Sequence, residues 1–182
     1  MAEEKKDAEK KDEGKKWSER TTQLVALTAL LLAICATFST LKAGGFTNAG
    51  ILAQNQASDM WAFYQAKSLK ENIYKTQIQE ITLNQRNLDS EAAEKTIEKY
   101  QQKVDEYKDE EKDISEKAKA LEAKRDRSLE LRTGFSQGLT YLQIAILLSS
   151  LAALIKLIYF WYASLAIGAV GVFYFVSTLM VM

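Results

Sequence analysis

The side chains of this sequence that could do chemistry are carboxylates, amines and aromatic rings, and their spacing decides what that chemistry is. Residues 43–132 hold 17 Asp/Glu and 15 Lys/Arg. Acid–base catalysis needs carboxylates whose surroundings push their proton affinities apart. Runs such as KDEEKDISEK instead place alternating charges on the solvated faces of a helix. The chain has no histidine and one cysteine, Cys35, which excludes His-based triads and both His and Cys-cluster metal sites. Cys35 lies within an uncharged run, where it counts as a small apolar residue. No phosphate loop, dinucleotide fingerprint or nucleophile elbow occurs. This inventory predicts a protein that is not an enzyme, with no catalytic residues, no cofactor and no metal. The near balance of charge also argues against nucleic-acid binding.

One stretch stands apart. ASDMWAFYQAKSLK, residues 57–70, gathers Met60, Trp61, Phe63 and Tyr64, followed by Lys67 and Lys70. Three chemistries compete for it: stacking on a ligand, anchoring in lipid headgroups with the lysines over phosphates, or filling the core of an assembly. At about 100° per residue the four side chains spread around a helix. Ala53, Ala57, Met60 and Tyr64 form one seam, and Ala62, Ala66, Leu69 and Ile73 form a second. Two seams imply two neighbours, a returning helix and a second protomer, so a homo-oligomer is expected.

The elements that must position these residues follow from a segregation of charge. Residues 1–20 carry seven basic and seven acidic side chains and too little apolar bulk to offset ordering entropy, which predicts a disordered leader. Trp17 then marks a membrane–water interface. Residues 21–42 read as a first transmembrane helix, uncharged from Thr21 to Leu41 and longer than the apolar core of a signal peptide. Its alanines, Ala26, Ala29, Ala33 and Ala36, form a small-residue stripe suited to helix packing in lipid. Gly44 and Gly45 predict a bend or break, with a new helix from about Thr47 to Leu88.

Beyond a turn near 84–90, Asp89 or Ser90 can cap the next helix, whose first turn is acidic. There Ala93, Ile97, Tyr100, Val104, Tyr107, Glu111, Ile114, Ala118 and Leu121 alternate four and three apart, a coiled-coil seam. Residues 43–134 as one rod would span about 130 Å, yet the chain must re-enter the bilayer, because from Thr133 onward only Lys156 is charged. The expectation is an antiparallel hairpin. Residues 135–156 and 159–182 form the second and third transmembrane helices, divided by the interfacial anchors Lys156, Tyr159, Trp161 and Tyr162. Gly168 and Gly171 offer another close-packing surface. The fold class is thus an all-α membrane protein, three transmembrane helices with a long antiparallel coiled-coil hairpin between the first and second.

The leader, the single span, NQASDMWAFYQAKSLKENIY, the charged helical segment and two closing spans together resemble domain of unknown function 4337, a family of small bacterial membrane proteins. The resemblance implies bacterial origin and this topology, and transfers no activity. Basic residues of the leader with Lys156 favour an amino terminus inside the cell and a periplasmic hairpin, whereas Lys124, Arg125, Arg127 and Arg132 oppose it. The expected function is a non-catalytic, oligomeric inner-membrane scaffold or interaction element. The alternative is an oligomeric channel or envelope-stress sensor with the hairpin as gate or input.

Overall fold

A computed structural model describes residues 19–84 and 90–182. The expected leader up to residue 18, the Trp17 anchor and most of the turn near 84–90 lie outside the described residues, while Glu19 and Arg20, expected in the leader, are already helical. Within them the chain forms three helices and no strand: α1 (Glu19–Asn84), α2 (Ser90–Ile155) and α3 (Ile158–Val181). Each contains a stretch long and apolar enough to cross a membrane, judged by length and composition.

The expected break at Gly44 and Gly45 is absent, and α1 runs through both glycines. A glycine weakens a helix interior by only about 1 kcal/mol relative to alanine. Flanking turns here are held by buried Ala43 and Ala53, which offsets that weakness. The glycines themselves face open space.

The chain divides into two compact units. The first joins residues up to Asn48 with Ser128–Met182. On α1, Val25, Ala29, Leu32, Ala36, Ser39 and Ala43 alternate four and three apart, and each is buried or half-buried. On α2 the buried series is Leu131, Phe135, Gly138, Leu142, Ala145, Ser149 and Ala152, with the same alternation. On α3 it is Ser164, Gly168 and Gly171. Small residues dominate because the backbones come close. A Cβ on Gly171 would lie 3.1 Å from the Gly138 carbonyl oxygen and 3.0 Å from the Leu142 nitrogen. One end of this unit is aromatic. Phe135 stacks on Phe46 with ring centres 5.9 Å apart and meets Phe175 edge-on at 5.8 Å, pairs worth about 0.5–1.5 kcal/mol each beyond their buried area.

The α2–α3 connection is Lys156 and Leu157. Lys156 has φ 54°, the left-handed conformation that commonly ends a helix and that glycine adopts most cheaply. Leu157 is extended and starts α3 without a side-chain cap. The chain then returns along α2, since Ser164 reaches Ala145 and Gly171 abuts Gly138. The segment dividing the two helices is therefore Lys156 and Leu157 alone. Tyr159, Trp161 and Tyr162 belong to α3 itself.

The second unit, Ala49–Arg127, pairs the end of α1 with the beginning of α2. Contacts run in opposite order along the two helices: Gln54 with Arg125, Trp61 with Glu122, Lys67 with Glu110 and Tyr74 with Tyr100. The pair is antiparallel. Its buried apolar positions are Ala53 and Ala57 on α1 and Ala93, Val104, Ile114 and Ala118 on α2.

Two glycine replacements should move stability in opposite directions. Gly45→Ala adds a side chain in open space and is expected to stabilise by about 0.5–1 kcal/mol. Gly171→Ala drives a methyl into backbone atoms of α2 and should destabilise by about 1–3 kcal/mol. Thermal unfolding of the detergent-solubilised protein checks this, and the reverse ranking would refute the packing described.

Candidate functional site

The aromatic stretch and the α2 seam meet in the second unit, where they form a polar network between the two helices. The stretch has no proline or glycine, so α1 continues through it and distributes its side chains by helical angle. Met60, Trp61 and Tyr64 are half-buried toward α2, while Phe63 is turned outward and 49% exposed. Trp61 Nε1 donates to Glu122 Oε1 at 2.9 Å, and its ring meets Tyr64 edge-on with centroids 5.6 Å apart. Trp61 and Tyr64 are therefore engaged with each other, and Trp61 with α2 as well.

Below them the α1 seam turns polar. Lys67 Nζ pairs with Glu110 Oε2 at 2.5 Å and lies 5.1 Å from the centre of the Tyr107 ring and 5.3 Å from that of Phe63. The cation–π geometry lets an amine sit at a seam position without full hydration. Glu71 is buried and pairs with Lys75 one turn on, at 2.6 Å. Glu111, buried on α2, leaves one carboxylate oxygen without a hydrogen-bond partner. The Tyr64 hydroxyl is held above the ordinary pKa of a phenol, first by the negative charge of Glu111, then by burial, by hydrogen bonding to Glu111 and by the charge of Glu71. Tyr74 closes the network between Tyr100, centroids 5.2 Å apart, and Tyr107, at 5.9 Å. Outside the seam, Lys103 and Glu106 pair on the exposed surface, each favouring the other's charged form, so the amine's pKa is raised and the carboxyl's lowered.

Chemically this arrangement binds one helix to another. Among the described residues no group of three or more His, Cys, Asp or Glu could hold a metal ion. Polar groups at seam positions contribute little net stability and disfavour other registers, in which they would lose their partners.

The remaining predicted residues lie in the first unit. Ala29 and Ala33 are half-buried on α1, beside the buried Ala36. Gly168 packs against Leu32 and Ala145, and Gly171 against Leu142, so these glycines serve helix contacts inside the chain. Trp161 Nε1 donates to Thr28 Oγ1 at 3.2 Å, while Tyr159 is 78% exposed and Lys156 and Tyr162 are also exposed. The hydroxyls of Ser149 and Ser164 donate to the carbonyls of Val25 and Ala145, at 3.4 and 2.7 Å. Lys67 and Glu71 are seam residues that the apolar pattern of the sequence does not mark. Continuing the spacing of Ala53, Ala57, Met60 and Tyr64 by three and four reaches both.

Fold and site together define an all-helical protein with three potential membrane-crossing segments and a charged antiparallel helix pair. The chain belongs to the family described as domain of unknown function (DUF4337), whose model matches residues 21–181. No curated protein and no solved structure matches it.

The seam predicts a contrast between neighbours. Val104 is buried and Lys103 is not. Val104→Asp places an unpaired carboxylate against α1, at a cost of several kcal/mol, and should reduce helicity and the unfolding temperature. Lys103→Asp changes a solvated face and should leave both nearly unchanged. Equal losses by circular dichroism would refute the register.

Proposed function

We propose that this chain is a multi-pass protein of the bacterial inner membrane whose helix pair forms an antiparallel coiled-coil hairpin outside the bilayer. It serves as a non-catalytic scaffold or interaction element in a homo-oligomer, with the lipid bilayer as its constant partner. One observation carries this reading: in the three apolar stretches only 17–28% of the residues are buried. Leu27, Leu30, Leu31, Phe38 and Leu41 of α1 and Leu147 and Leu154 of α2 are all more than half exposed. Exposing such side chains to water forgoes about 1.5–3 kcal/mol each relative to burial, whereas a hydrocarbon medium accepts them. Helices suit that medium because they satisfy their own backbone groups.

The polar side chains of these stretches are consistent with the same setting. Ser149, Ser164 and Trp161 bond between helices, and Thr37, Thr40 and Ser150 bond back to their own helix. The channel alternative would draw on these hydroxyls to line a path, yet Ser149 and Ser164 already use theirs on carbonyls. The scaffold reading rests on the second unit, where the polar network holds two helices together and leaves long outer faces open to a partner.

Topology tests the proposal. In a Cys35→Ser background, Asn87→Cys should react in intact cells with a membrane-impermeant thiol reagent, and Ala8→Cys only after lysis. The opposite pattern would invert the orientation. Release of the protein by alkaline carbonate would overturn membrane insertion.

A further inference from the structure

α1 is in contact with α2 through Ala53, Ala57, Met60 and Tyr64, yet its opposite face is also apolar. Ala62, Ala66, Leu69 and Ile73 recur four, three and four residues apart, and all are exposed, Leu69 by 62% and Ile73 by 47%. That spacing is the one a second helix needs to pack along α1. On the same face the stripe is bounded by Asp59 and Glu80.

Charge decides what covers it. The outer face of α2 carries Glu106, Asp109, Asp113 and Glu116, all exposed. A copy docking α2 on α2 would oppose carboxylates, and α1 docked on that face would strip them of water against alanine and leucine. Of these pairings, α1 against α1 is the one that brings apolar surface to apolar surface. We propose that two copies associate through this stripe, side by side and parallel, Ala62 and Ala66 allowing close approach while Leu69 and Ile73 fill the contact.

The parallel sense rests on the membrane reading above, which holds both copies in one orientation. It also suits the flanks. In a parallel pair Gln65 lies beside the partner's Lys70 and Asn72 beside the partner's Gln77, so no like charges meet along the stripe. Four residues from each helix bury well under the roughly 1,200 Å² of a standard stable interface. Association therefore depends on both chains being confined to one membrane, which raises their effective concentration.

Disulfide trapping of the full-length protein in native membranes, with Cys35→Ser, tests the contact. Under mild oxidation Ala66→Cys and Leu69→Cys should form linked dimers several-fold faster than Gln102→Cys on the outer face of α2. Adding Ala66→Glu to Leu69→Cys opposes two carboxylates and should cut linkage by about tenfold or more. Carbonate fractionation of the same samples separates the two levels of inference. Protein retained in the membrane with no faster linkage at 66 or 69 than at 102, or with linkage undiminished by Ala66→Glu, overturns the stripe and leaves membrane insertion standing. Protein released by carbonate overturns insertion, and with it the parallel pair.

Discussion

Val25, Ala29, Leu32 and Ala36 on α1, Leu142, Ala145, Ser149 and Ala152 on α2, and Trp161, Ser164, Gly168 and Gly171 on α3 obey one spacing, four and three residues in alternation. It averages 3.5 residues, close enough to the helical turn for a single stripe to keep facing its neighbour over many turns. Helices this long depend on it. A stripe of a different period would rotate away from its partner within a few turns, and the far ends would lose contact. Side-chain size then sets the distance between helices. In the first unit glycine, serine and alanine dominate, so contact is made by backbone as much as by side chains.

The second unit keeps the spacing and changes the chemistry. Tyr64, Lys67, Glu71 and Tyr74 occupy the α1 stripe, and Tyr107 and Glu111 occupy that of α2. A row of leucines would hold two helices more tightly, but it would hold them almost as well after a slip of one heptad. Lys67 has its acceptor at Glu110, and a slip of seven residues in either direction would set a lysine, Lys103 or Lys117, in that acceptor's place. Stability is given up for a single register. The outer faces of the pair are only as well defined as the register beneath them.

Much of this architecture is legible in the order of the residues. Three apolar stretches stand out because charge is absent from them, and the α2 seam stands out because its apolar residues are islands among charges. The α1 seam is half legible: Ala53, Ala57, Met60 and Tyr64 announce it, but Lys67 and Glu71 look like surface residues until their partners on α2 are known. Partner identity is a tertiary fact, set by the antiparallel register and invisible in either helix alone. Gly44 and Gly45 mislead for a related reason. Their propensity argues for a break, but about 1 kcal/mol per glycine is small enough for packing of the neighbouring turns to override. The aromatic run after Lys156 is legible as a boundary, although the turn itself lies in Lys156, whose left-handed backbone no sequence rule singles out in a lysine.

The four residues Met60, Trp61, Phe63 and Tyr64 show how one short run can serve several neighbours. Neighbouring side chains on a helix diverge by about 100°, so a cluster in sequence is dispersed in space. Met60 and Tyr64, four apart, share the face toward α2. Trp61 flanks that face and spends its indole N–H on Glu122. Phe63 points elsewhere and shields the Lys67 amine, and Ala62 and Ala66, interleaved with them, begin the stripe on the far side. The alanines matter as much as the rings. Had large side chains stood at 62 and 66, the outer face would be too bulky for close approach. Had charges stood there, α1 would resemble α2, solvated on every face but one. Residues 57–70 thus build a helix with two usable sides, one already occupied by the returning chain.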